Sequence, residues 1–178
     1  MQKHYEVEIQ WRAFPLHPET PEEGLTLEEL FAGRNIDIPQ AMARLKKVAK
    51  ELDLPLGERK KTYNSRLAQE MGKWAETKGK GDEFQNAVFH AYFVEDKNIA
   101  KAKTLMGLAA AVGLPEKEAG EILQTRAFRE AVDSDWALCE RMGISAVPTF
   151  VLDHRALVGA QPYEALEQLL LLSGVKRK

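Results

Sequence analysis

Cysteine is nearly absent from this chain of 178 residues: there is one, Cys139. A single cysteine excludes an internal disulfide framework and supplies no partner for a redox pair. Long apolar runs are missing as well, and none approaches membrane-spanning length. The opening residues, Met1-Gln2-Lys3-His4, lead into no apolar signal-peptide core. Neither sign of charge dominates. The formal net charge is -2, without the basic face that a nucleic-acid binder shows. His4, His17, His90 and His154 have no metal-ligand spacing with one another or with Cys139. There is no nucleophile elbow, no phosphate-cradling glycine loop, no internal repeat and no low-complexity segment. These absences describe a chain expected in the cytoplasm, with no metal, no cofactor, no membrane and no nucleic acid as partner.

What is present centres on Gly143-Ile144-Ser145-Ala146-Val147-Pro148-Thr149-Phe150-Val151-Leu152. A helical pattern stops at Gly143, the usual left-handed residue past a helix end. An apolar run dense in β-formers begins at Thr149. Between them, Pro148 removes an amide donor and holds Val147 extended. Two readings stand. Pro148 is an ordinary trans proline opening an edge strand. Alternatively the Val147–Pro148 bond is cis, exposing the amide and carbonyl of Val147 to an extended peptide that pairs by strand addition. Val151-Leu152 and Leu157-Val158 flank Asp153-His154-Arg155-Ala156, which predicts a hairpin. Gly159-Ala160-Gln161-Pro162 then leads into an amphipathic helix over Tyr163–Leu170, with Pro162 near its first turn.

Upstream, His4 to Trp11 alternates cleanly. Tyr5, Val7, Ile9 and Trp11 share one face, which predicts a half-buried strand. Pro15 and Pro18 end it. A short helix capped by Thr26 is predicted over 25–32. From Asp37 the period is helical for about a hundred residues. Ile38, Ala41, Met42, Leu45, Val48, Ala49 and Leu52 form one apolar stripe, stopped by Pro55. Arg59-Lys60-Lys61 reads as a solvated basic loop rather than an anion site. Asn64 can cap a helix reaching Thr77. The segment from Phe84 to Val94 is apolar on nearly all sides and is expected to be buried. Further helices follow from Asn98, from Pro115 to about Gln124, and from about Thr125 to Met142. Cys139 shares a helical face with Trp136, Val132 and Phe128, so a buried, inert thiol is expected.

Helix, proline turn, hairpin, helix is the order of the C-terminal half of a thioredoxin fold. The segment GISAVPTFVLDHRALVGAQPYEALEQLL resembles the end of DsbA-like proteins, in the branch called FrnE, near the 2-hydroxychromene-2-carboxylate isomerases. Phe14, Leu16 and Pro18 match the "F-x-L-x-P" segment that follows the second strand in that branch. Tyr63-Asn64-Ser65-Arg66-Leu67-Ala68 resembles its "Y-N-T/S-R-L-A" segment, and Ala87–Phe93 its "A-L-F-x-A-Y-F" helix. The resemblance implies an α/β chain: a truncated thioredoxin-like fold with a large all-helical insertion. It implies a residual thioredoxin-like unit over 1–36 and 143–178 and a helical insertion over 37–142. It makes Pro148 the cis proline of the active-site face. It adds Asn64 to Val147, Pro148 and Thr149 as candidate substrate-binding residues, because an asparagine at that position faces the active site in glutathione-using relatives.

The same resemblance implies a strand, a nucleophile and a first helix ahead of Tyr5. DsbA-like oxidoreductases carry Cys-x-x-Cys there, at a helix N-terminus that stabilises the thiolate. The isomerase and kappa-class glutathione-transferase relatives carry serine. Neither is found here, so no catalytic residue is assigned. Three functions follow. The first is a FrnE-type thiol–disulfide oxidoreductase family protein whose chain lacks the catalytic dithiol. The second is a glutathione-dependent isomerase or transferase relative; Ala160-Gln161 stands where glutathione users carry Asp-Arg or Asp-Ser, which disfavours it. The third is a non-catalytic module binding a peptide or partner. The expected partner at the proline loop is an extended peptide or thiol substrate. With one strand of the sheet missing, either His4–Trp11 pairs directly with Thr149–Leu152, or two chains cover each other's open sheet. The second, a homodimer, is expected.

Overall fold

Eight helices and four short strands make up the structure, a computed structural model that describes residues 1–178. In chain order they are β1 Leu25–Thr26, α1 Leu27–Leu30, α2 Ile38–Glu51, β2 Lys61–Thr62, α3 Arg66–Thr77, α4 Gly81–Phe93, α5 Ala102–Ala111, α6 Glu116–Thr125, α7 Arg129–Arg141, β3 Thr149–Leu152, β4 Arg155–Val158 and α8 Tyr163–Leu172. The chain divides into two units: His17–Val132, and Met1–Leu16 together with Asp133–Lys178.

The first unit is helical and has the main core. Met71, Trp74 and Ala75 of α3 pack with Phe84 and Val88 of α4, Leu105 and Ala109 of α5, and Ala119 and Leu123 of α6. Each fully buried large side chain contributes about 1.5–3 kcal/mol. Trp74 is 1% exposed, and its Nε1 donates to Glu118 Oε1 at 3.1 Å, so its one polar atom is satisfied. Thr26 begins α1 with a reciprocal cap, its hydroxyl accepting from the Glu29 amide while the Glu29 carboxylate accepts from the Thr26 amide. Asp37 accepts from the Gln40 amide at 2.9 Å and caps α2. β1 and β2 form one antiparallel pair, with Leu25 opposite Thr62. Gly24 precedes it at φ 75°, where a Cβ would lie 2.5 Å from the Tyr63 ring.

The second unit holds the hairpin and α8. β3 and β4 pair antiparallel, Thr149 opposite Val158 and Leu152 opposite Arg155, closed by a two-residue turn with Asp153 at φ 54°. The N-terminal segment is tied to the C-terminus by a single antiparallel bridge, Tyr5 with Arg177. Tyr5 is fully buried. Its hydroxyl donates to Glu167 and accepts from Arg177 Nε at 2.9 Å.

Several expectations are corrected. His4–Trp11 is not a strand and does not pair with Thr149–Leu152; only Tyr5 makes a bridge. Ile9 and Trp11 are 51% and 43% exposed. Alternation sets which residues share a face, but a strand also needs a neighbour to take its amides and carbonyls. The α2 stripe is largely uncovered as well, with Leu45, Val48 and Leu52 exposed and only Ala49 buried. α4 begins at Gly81, and Phe89 on it is exposed. The compact helical unit runs from His17 to Val132. Hydrogen bonds hold the segments on either side of its limits. Asn64 and Asn98 hold the 17–24 loop within the helical unit. Asp135 and Cys139, in the second half of α7, hold the Ala13 backbone.

Candidate functional site

The proline turn is built from the end of α7. Gly143 at φ 65° reverses the chain, and the Ile144 amide closes the last turn on the Cys139 carbonyl at 2.9 Å. The Val147–Pro148 peptide bond is cis. Thr149 Oγ1 donates to the Ala146 carbonyl at 2.6 Å, and the Pro148 carbonyl accepts from the Gly159 amide at 2.7 Å. Both neighbours of Val147 are therefore fixed by hydrogen bonds. Val147 itself is 43% exposed. β3 pairs with β4 along one edge, and its other edge has no strand beside it. Val147, Pro148 and Thr149 thus form one continuous surface that leads into an open strand edge.

Asn64 belongs to the helical unit. Its Nδ2 donates to the carbonyls of Pro18 at 2.9 Å and Thr20 at 2.8 Å, and its Oδ1 accepts from the Arg66 amide at 2.8 Å. The side chain pins a loop to the start of α3, although Ser65 rather than Asn64 is the residue at the cap position. Two turns on, Glu70 is 2% exposed and takes hydrogen bonds from Arg66 Nε at 2.7 Å and from Arg126 Nε and Nη2, each at 2.7 Å. Burial pushes the Glu70 carboxyl up, but the hydrogen bonds from Arg126 and Arg66 outweigh it and hold it below the usual range. The Arg66–Glu70 spacing is visible in the sequence as an i,i+4 pair. Arg126, 56 positions away, has no sequence signal.

Cys139 is 5% exposed and lies against the Ala13 carbonyl, with Sγ to oxygen at 3.6 Å. Burial, and then the charge of Asp135, push the thiol up from its ordinary value. A thiol held protonated is a weak nucleophile. It borders a depression of about 480 Å3 between Phe14, Pro15, Trp136 and Ile144. His90, the variable position of its helix motif, faces solvent 3.9 Å from Glu95. No three His, Cys, Asp or Glu side chains gather in metal-holding geometry. No helix is long and apolar enough to cross a membrane.

The turn, the hairpin and α8, with a helical unit carried between the N-terminal segment and the turn, define a thioredoxin-like fold of the DsbA kind, helix-rich and mixed α/β. The profile of the DSBA-like thioredoxin domain matches residues 1–171, and the chain belongs to that family. The probable DsbA oxidoreductase SCO1869 of Streptomyces coelicolor superposes with a TM-score of 0.86 at 24% identity, covering 95% of this chain and 76% of that one. A 2-hydroxychromene-2-carboxylate isomerase superposes at 0.67 with 19% identity, over 85% of this chain and 70% of the other. The cytosolic disulfide reductase DsbM of Pseudomonas aeruginosa superposes at 0.56 with 23% identity, over 75% and 76%. Among curated proteins, the uncharacterized YwbO of Bacillus subtilis (strain 168) is 33% identical over 108 residues, 58% of this chain. The chain matches about half of that relative's length, 52%.

Proposed function

We propose that this protein is of the FrnE type and uses the Val147–Pro148–Thr149 loop and the free edge of β3 to hold an extended peptide or thiol substrate of disulfide chemistry. The observation that carries the reading is the exposed Val147 beside an unpaired strand edge, in a chain of the DsbA-like family. An extended peptide would add as a strand, taking its affinity from main-chain hydrogen bonds. These 178 residues contain one cysteine, so they supply the binding face and not a dithiol. The cytoplasm is the compartment that suits such a chain, where thiols are kept reduced.

The glutathione-dependent reading receives less support. All three polar contacts of Asn64 go to backbone groups of its own unit. Gln161, where glutathione users carry a charged or hydroxyl residue, donates to the Val158 carbonyl at 2.7 Å. We further read the exposed hairpin face as the place where two chains associate. Val151 and Val158 point to the same side of the β3–β4 pair and are 38% and 52% exposed.

The test is amide NMR during titration with an unfolded, cysteine-blocked peptide and, separately, with reduced glutathione. The reading predicts saturable shifts at Val147, Thr149 and Val151 with the peptide. Shifts with glutathione alone would move the assignment to the isomerase and transferase side. No shift with either would remove the binding role.

A further inference from the structure

α2 starts on strong local signals, with Asp37 as its cap and Pro39 in its first turn. At 1.5 Å per residue it is a rod about 21 Å long. Its apolar residues form two adjoining rows. Ile38, Met42 and Ala49 are half-buried or buried. Ala41, Leu45, Val48 and Leu52 share the next sector of the helix and are exposed, the last three by 44%, 42% and 64%. Ile36 and Leu54, just beyond the two ends, are exposed as well. α3 has a stripe of the same kind, and there Met71, Trp74 and Ala75 are fully buried. No other helix or strand packs along α2 in this way.

The polar side of α2 is one-sided in charge. It carries Arg44, Lys46, Lys47 and Lys50 against one carboxylate, Glu51, in a chain whose net charge is -2. The helical turn per residue puts Arg44 and Lys46 on opposite flanks of the Leu45 row. Lys46 pairs with Glu58 at 3.0 Å and Lys47 with Glu51 at 3.9 Å. Both carboxylates are well exposed, and such pairs contribute little. Arg44 and Lys50 have no carboxylate partner.

No helix here is long and apolar enough to cross a membrane. An aliphatic row between flanking cations instead suits a helix that lies on one. The apolar side chains enter the boundary between headgroups and acyl chains, and the Lys and Arg stems reach back to the phosphates. We propose that α2 docks the protein on an anionic lipid surface, with Leu45, Val48 and Leu52 turned into it. A protein groove is a poorer match, because the exposed row has no aromatic anchor. A second copy would set the cations of both chains along one seam. The cytoplasmic leaflet is the anionic one. The surface lies wholly within α2 and its flanks and does not depend on the peptide-binding reading of the proline loop.

The experiment is co-sedimentation of the full chain with vesicles of equal parts phosphatidylcholine and phosphatidylglycerol and, in a parallel arm, with phosphatidylcholine alone. Binding is expected in the first arm only, and it should weaken about tenfold or more between about 0.05 M and about 0.5 M salt. Leu45→Gln with Leu52→Gln changes two exposed positions and should weaken binding at least about tenfold. Arg44→Gln with Lys50→Gln should weaken it about thirtyfold, from about 1 kcal/mol for each cation at the surface. Lys103→Gln with Lys117→Gln removes the same charge from exposed sites on α5 and α6 and should change it by less than about threefold. A native chain that stays in solution with the anionic vesicles overturns the proposal. So does equal binding by the leucine variant, or an equal loss in the two charge variants. A doubled chain mass without lipid that falls to one chain in the leucine variant would give the face to a second copy and overturn it too.

Discussion

The Ala13 amide donates to Asp135 Oδ2 at 2.9 Å, so a residue of α7 holds the N-terminal segment by its backbone. The other oxygen of the same carboxylate takes Arg12 Nη1 at 3.1 Å. Asp135 is 4% exposed, so loss of the carboxylate strands a backbone donor that water reaches poorly. Asp135→Ala should lower stability by about 1–3 kcal/mol. Urea unfolding of the two proteins measures it. The Arg12→Ala change, at a half-exposed partner, should cost less than about 1 kcal/mol. Equal costs for the two would mean that the Ala13 bond contributes little.

Glu70 gives the stability a defined pH dependence. Its carboxyl is held below the usual range by Arg126 and Arg66 against the opposing effect of burial. A depressed folded-state pKa stabilises above the unfolded pKa, and that contribution is lost as pH falls through the folded value. At neutral pH, Glu70→Gln should cost about 3 kcal/mol, the low end for breaking a buried pair, because Arg126 remains 42% exposed. The difference between the two proteins should shrink below about pH 4.5 and vanish in stronger acid. A gap that stays constant with pH would show that the ion pairs are not the source.

The thiol of Cys139 should be unreactive in the folded chain. Burial and Asp135 raise its pKa, and reaction needs the thiolate. Alkylation near pH 7 should be at least about tenfold slower in the native protein than in urea. This polypeptide should also fail to turn over in an insulin-reduction assay, since one cysteine cannot cycle between dithiol and disulfide. Turnover abolished by Cys139→Ser would show that the thiol is misread. Turnover indifferent to that change would place chemistry elsewhere.

Local signals were the legible ones. Thr26 and Asp37 start helices where capping chemistry says they should, and Gly143 stops one. The hairpin and α8 fall where alternation and Pro162 place them. The four-residue run at Val147–Phe150 was enough to locate the turn. What misled was coverage. Val7, Ile9 and Trp11 alternate like a strand, and Leu45, Val48 and Leu52 line up like a core-facing stripe. A period records which side is apolar, not whether anything lies against it. Arg59 shows the same limit: its neighbours Lys60 and Lys61 make it read as a solvated loop residue, yet its guanidinium lies 4.8 Å from the ring centre of Tyr92 on α4, 33 positions away, and no local pattern reports that. The role of Asn64 was half legible, since a cap-forming residue was visible but the carbonyls it binds, Pro18 and Thr20, lie in a distant loop.

The last prediction is the oligomeric state. In the β3–β4 pair, Thr149 faces Val158 and Val151 faces Ala156, which puts Val151, Ala156 and Val158 on one side. All three are exposed. A two-stranded sheet with one apolar face open to water is marginal alone and adhesive toward its like. A two-fold axis would bring the same patch of a second chain against it, burying both copies at once. An association through the sheet face would leave the Val147 loop and the outer edge of β3 available to a peptide. Light scattering at micromolar concentration should give twice the chain mass. Val158→Lys places a charge in the centre of the contact without altering the backbone pairing, and should return the protein to one chain mass with unchanged circular dichroism. A wild-type protein that scatters as a single chain under those conditions rules out the dimer. A Val158→Lys protein that stays dimeric moves the interface to another surface, and the exposed stripe of α2 would be the first to test.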